Sequence, residues 1–275
     1  MRSVLYVVLM AGVLLLGCTP RTPPLPDRGV ETVGQAAAQR FMNGEFYASL
    51  RLYIKAYNEA ARYDIVALEA RYQFNIGRIL YECMRFDSSC GYFSRSADLS
   101  LRIGAEADAA VATVYSALSY AYLGETDTAH RLFDSVSGKC APQDSVTVRI
   151  AGVLLQLLSG KTADARRSAD LLLGDLRGND DELSLGTVYS YKAMAVFSEG
   201  DADGAQQLLD SSLAAFGRSP YRFRNWRSLE GKAILSYCMH DSVAGEQWHE
   251  RAKRAAPDFV RLPDASVLRE CPTSW

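Results

Sequence analysis

The chain has 275 residues, 48% of them apolar and 23% charged, enough to build a sizeable core and too apolar for a disordered polymer. Its 30 Lys and Arg against 32 Asp and Glu leave a formal charge of −2. With no basic excess, nucleic acid is excluded as a partner, and no acidic tail suggests a charge-driven one.

In chain order, the first element is MRSVLYVVLMAGVLLLGCTP. Arg2 gives a positive start, Val4 to Leu16 an apolar run too short to span a bilayer, and Gly17 a small residue before Cys18. The string LLGC, Leu15 to Cys18, resembles the lipobox of bacterial lipoproteins. That resemblance implies cleavage after residue 17, lipid attachment at Cys18 and a membrane-held protein of the bacterial envelope. Thr19 stands where an aspartate would signal inner-membrane retention, so the resemblance points to the outer membrane with the folded domain in the periplasm. Residues 18–29 then carry four prolines and read as an extended spacer.

From residue 30 to residue 257 the pattern is helical. Long proline-free stretches rich in Ala, Leu, Arg and Glu favour helices over strands. Turn signals divide them: NGEFYASLRLYIKA at Asn43, LGETDTAHRLFDSV at Leu123, SGKTADARRSADLL at Ser159 and EGDADGAQQLLDSS at Glu199. Each has a glycine at the turn, a small residue five positions later, and packing residues four and seven beyond that. Such spacing predicts antiparallel helix hairpins, in which glycine permits a tight exit and a small residue permits close approach. Placing turns at Gly44, Met84, Gly124, Gly160, Gly200 and His240 gives steps of 40, 40, 36, 40 and 40 residues.

This spacing resembles the tetratricopeptide repeat, whose usual period is about 34 residues. Tyr120, Gly124, Ala129 and Phe133 carry the resemblance in the third unit, and Tyr189, Ala193, Gly200 and Ala205 in the fifth. It implies an all-α, TPR-like superhelix of about six hairpins with an unusually long repeat. Units two and six match weakly. Met84 and His240 stand at their turns, and an extra residue is expected before Phe93 and Ala97. Residues 258–275 are expected to cap the open end, with Trp275 as an anchor.

The resemblance also implies a concave surface lined by the first helix of each hairpin. Phe74, Arg78, Tyr81, Tyr122 and Phe197 are its candidate partner-binding residues; the competing reading packs such residues into core. The YRFRNWR cluster adds Arg222, Arg224 and Arg227, suited to a carboxylate or phosphate group. The partner is accordingly an envelope protein or peptide, or a small apolar or carboxylated ligand of a transport system; the remaining reading is a structural spacer that oligomerises. Of the cysteines, Cys83 and Cys90 are close enough in sequence for a local bridge, and Cys238 with Cys271 could staple the tail. The three histidines, His130, His240 and His249, form no HExxH, and neither GxSxG nor a phosphate-cradling glycine loop occurs, so the sequence points to no catalytic residues, metal or cofactor.

Overall fold

The computed structural model describes residues 26–141, 144–178, 180–258, 260, 262 and 265–268. The signal segment, Cys18, the spacer before residue 26, Cys271 and Trp275 lie outside them. Among the described residues regular structure is helical: α1 Pro26–Met42, α2 Phe46–Arg62, α3 Val66–Glu82, α4 Phe86–Arg102, α5 Glu106–Tyr122, α6 Thr126–Val136, α7 Ser145–Leu158, α8 Thr162–Leu176, α9 Glu182–Ser198, α10 Ala202–Arg218, a 3-10 turn at Arg222–Arg224, α11 Asn225–Cys238, α12 Ser242–Ala255 and α13 Ala265–Leu268. Helices α1 to α12 pack with their chain neighbours as successive hairpins, and this is a TPR-like, all-α repeat solenoid.

The long repeat has a simple origin. Helices α1 to α5 are each 17 residues. Three-residue turns join them, so the chain reverses every 20 residues. At each turn the middle residue adopts the left-handed region: Gly44, Asp64, Met84, Gly104 and Gly124. The flanking amides close the helix end, as where Gly44 N–H donates to the Phe41 carbonyl and Glu45 N–H to that of Arg40. This is the Schellman arrangement, which satisfies carbonyls the helix leaves unpaired. Gly160, Gly200 and His240 repeat it in the later hairpins, so all six turn positions read from spacing take the left-handed conformation. The 36-residue step falls where α6 and α7 shorten to 11 and 14 residues.

The residue five positions past each turn is buried: Ser49, Ser89, Ala129, Ala165, Ala205 and Gly245. Small side chains here let the second helix approach the first. Serines also bond across the joint. Ser49 Oγ donates to the Ala37 carbonyl at 2.8 Å, and Ser212 Oγ to that of Gly186 at 2.7 Å. The expected extra residue in unit two is absent. Phe93 follows Met84 by the same nine positions as Phe133 follows Gly124, and it is fully buried.

First helices of successive hairpins also touch one another, α1 with α3, α3 with α5, α5 with α7 and α7 with α9, forming the inner wall. The segment after α10 crosses to the first hairpin. Phe223 packs edge-on against Phe41 and Phe46, and its Cβ lies 3.3 Å from where a side chain at Gly44 would begin. Tyr47 N–H donates to Asp258 at 3.2 Å beside it, and Val260 packs on the same cluster. Leu268 packs against Ala233, Ile234 and Tyr237 of the last hairpin. No described helix is long and apolar enough to cross a membrane.

The local bridge expected between Cys83 and Cys90 does not form; both are free thiols. They face different layers. Cys83 belongs to the core between the first two hairpins, whereas Cys90 lies against Ser119 of α5. Burial pushes both thiols up, Cys83 to about 12 and Cys90 to about 11. Cys238 is disulfide-bonded, with its partner outside the described residues.

Candidate functional site

Glu82 ends α3 on the inner wall, where burial places its carboxylate among apolar neighbours; 3% of its side chain is exposed. An isolated carboxylate there would be costly. It is matched by Arg224, which donates to Oε1, and Arg227, whose Nη2 lies 3.9 Å from Oε2. Both arginines arrive on the segment that crosses to the first hairpin, 142 residues from Glu82 in the first case. Burial alone would raise the Glu82 pKa, but the charges of Arg224, Arg227 and Arg78 outweigh it and hold the carboxyl below its usual range.

Among the described residues one carboxylate thus faces three guanidinium groups. Arg224 Nε, Arg227 Nη2 and Arg78 Nε are buried without a hydrogen-bond acceptor among the described residues. Arg78 lines a separate cleft of about 300 Å³ with Phe41, Tyr53 and Tyr221, whereas a cavity of about 70 Å³ opens beside Arg224 and Arg227, lined also by Tyr81, Val114, Tyr115 and Tyr191 among others. Ordinary small-molecule clefts run to roughly 300–1,000 Å³. Only the end of a ligand fits here. Tyr81 and Tyr191 have their hydroxyl pKa raised, chiefly by burial, so both remain protonated donors at neutral pH. Burial would lower the Arg227 pKa, yet Tyr122, Glu82 and the other tyrosines hold it above its ordinary value.

Tyr81 and Tyr122 came from the inner-wall alignment and Arg224 and Arg227 from the basic cluster, and the fold brings them together. Arg78 stands close by, its guanidinium 4.6 Å from the ring of Phe41 and 5.8 Å from that of Tyr221. Phe74 is elsewhere, packed on Phe93 and Tyr115, and it lines a cleft of about 310 Å³ near the start of α5. Phe197 packs with Ala193, Val196 and Leu209 in a later core. Arg222 opens the 3-10 turn, and its side chain lies outside the described residues.

Much of the inner wall is core. Tyr81, Val114, Leu118 and Leu154 are buried, and Tyr122 stacks on Phe86 at 4.3 Å between ring centroids. Sequence reasoning missed Glu82, Tyr115 and Tyr191. Glu82 carried a signal, a lone acid two residues before a turn within ILYECM, where a solvent-facing helix end has no need of apolar neighbours. No group of three or more His, Cys, Asp or Glu side chains able to hold a metal occurs among the described residues. His130 bonds to Ser159 Oγ at 2.8 Å, and His249 to Glu230 at 3.0 Å, each a contact between neighbouring helices.

No family model matches the chain, and no curated protein does. Among solved structures, the crystal structure of BtubC (BKLC) from P. vanneervenii is similar, with 15% sequence identity and a TM-score of 0.50 over 78% of this chain and 90% of that one. At that identity the likeness carries the fold: an all-helical, TPR-like array.

Proposed function

We propose that the chain is a non-enzymatic, lipid-anchored binding scaffold of the bacterial envelope, held at the outer membrane through Cys18 and projecting its repeat domain into the periplasm. In this reading the inner wall takes an acidic group of a protein or peptide partner. The observation that carries it is the charge imbalance there: among the described residues Glu82 opposes Arg224 and Arg227, with Arg78 nearby, and Arg227 Nη2, 3.9 Å from the Glu82 carboxylate, has no hydrogen-bond acceptor beside the cavity. Buried guanidinium groups favour a planar anion that accepts two parallel bonds. Residues 1–17 serve as the signal peptide, 18–29 as the tether and 258–275 as the cap.

The small size of the cavity supports a second occupant, a carboxylated solute of a transport system, because a few heavy atoms fill it. Crosslinking the full-length lipoprotein in its native cells, beside an Arg227→Gln variant, separates the two. A reproducible protein partner lost in the variant supports the scaffold. A small acidic ligand retained in native mass spectrometry, with no protein captured, supports the solute. Equal capture by both proteins would remove the inner wall as the site.

A further inference from the structure

The hairpins give the solenoid two unlike edges. Helices α2, α4, α6, α8, α10 and α12 all begin at one edge, beside the turns at Gly44, Met84, Gly124, Gly160, Gly200 and His240. Helix N-termini favour acids, and that edge carries exposed Asp87, Glu125, Asp127, Asp201, Asp203 and Asp241, outnumbering Arg85 and Lys161 of the same turns. At the other edge, where those helices end, acids and bases mix. Arg62 and Arg102 occupy the last turns of α2 and α4, near Asp64 and Glu106. Both edges carry large apolar side chains in water: Tyr63 at 53% exposure, Leu101 at 58% and Ile103 at 46% stand beside these arginines, whereas Tyr47, Leu123, Met239 and Val243 stand among the acids of the first edge.

Helix α1 starts at this second edge, because it runs toward the turn at Gly44. Cys18 precedes Pro26 by eight residues, and eight residues span at most about 29 Å. A 17-residue helix is about 25 Å long. The acidic edge could therefore reach the lipid only with the tether almost fully drawn out, and it would then press its carboxylates against an anionic surface. The second edge meets the lipid with the tether slack.

We infer that the edge bearing Tyr63, Leu101 and Ile103 rests on the bilayer that holds the Cys18 lipid, while the acidic edge points away from it. This rests on the lipid anchorage proposed above. The occupant is a lipid surface because here the exposed apolar side chains are accompanied by Arg62 and Arg102 rather than by a row of acids, and this edge lies where the chain leaves for its anchor. Tyrosine and arginine suit the headgroup layer, and Leu101 and Ile103 suit the acyl boundary.

The test uses the full-length lipidated protein in liposomes of phosphatidylethanolamine and phosphatidylglycerol, with brominated acyl chains as quencher. Leu101→Trp and Leu123→Trp place a reporter on each edge, with the wild-type tryptophan signal subtracted. Both sites are exposed, so neither change disturbs packing. The reporter at 101 should lose about half its emission or more, and the reporter at 123 should keep nearly all of it. Equal quenching at both, stronger quenching at 123, or none at 101 in protein that floats with the liposomes would overturn the orientation and leave the anchor standing. Flotation of wild type and of Cys18→Ala reads the anchor itself. If wild type fails to float, or the variant floats equally, the lipid tether falls and the inference falls with it.

Discussion

The second hairpin, α3 and α4, and the sixth, α11 and α12, solve one set of problems with opposite electrostatics. Each turns on a residue other than glycine, Met84 with φ 57° or His240 with φ 62°. Each buries a carboxylate from its first helix, Glu82 or Glu230, and each has a glycine pressed against an aromatic ring, Gly77 on Phe93 or Gly245 on Tyr237. Yet Glu82 is held charged by arginines, whereas Glu230 faces His249 from the adjoining helix, and burial raises its pKa. A buried carboxylate on a first helix can thus be held charged by arginines that lock distant hairpins together, or sit beside a histidine with its pKa raised by burial.

The largest effect should come from Glu82→Gln, which leaves Arg224 buried without its counter-charge. A loss of about 3–5 kcal/mol is expected in urea unfolding. Its sign with pH is fixed by the depressed carboxyl. Glu82 contributes stability above the ordinary carboxylate value of 4.5, lost as pH falls through the lower folded value. The gap between wild type and Glu82→Gln should therefore be full at pH 7 and shrink in acid.

Packing should distinguish the hairpins less. A methyl at Gly77 would lie 2.9 Å from Phe93 Cε1, and one at Gly245 would lie 2.5 Å from Tyr237 Cε1. Both rings are buried and cannot swing clear. Gly77→Ala and Gly245→Ala should each cost about 1–3 kcal/mol by thermal or chemical unfolding, despite the better helix propensity of alanine. A gain at either site would show that its ring has room to move.

Glu230→Gln should reverse the sign seen at Glu82. A carboxyl whose folded pKa is raised weakens the native state above that value, and its penalty disappears as pH falls below the unfolded one. The variant should be more stable than wild type at pH 8 by roughly 0–1 kcal/mol, with the difference vanishing in acid. Of similar size, His240→Gly should add about 0.5–1 kcal/mol, because glycine adopts the left-handed region without a Cβ clash. Met84 is partly buried, so Met84→Gly should gain less. Equal gains at both turns would mean that the Met84 side chain contributes nothing.

The backbone of this molecule was legible because its turns repeat. Gly124 and Gly200 announce the left-handed turn, and counting forward and back by the period found Met84 and His240, whose chemistry announces nothing. The same count places Tyr53, Phe93, Phe133, Leu209 and His249 at one position nine residues past the turn, where His249 is fully buried. The site was legible only in pieces. Arg224 and Arg227 stood out as a basic cluster suited to a carboxylate, but Glu82 belonged to a different unit. Nothing local in the sequence relates residues so far apart; their meeting depends on how tightly the superhelix winds, set by many small contacts between first helices. The expected Cys83 and Cys90 bridge failed for the same reason, since nearness along the chain says little about which layer each thiol enters.

The seating of Phe223 on the first hairpin, with Tyr47 bonded to Asp258 beside it, has a consequence for unfolding. An open solenoid melts from its ends, each terminal unit holding only one neighbour. Here the ends fasten to each other, so neither can fray until that clasp is lost. The array should therefore come apart as a ring does, in one concerted break, and removal of the last hairpin should loosen the first.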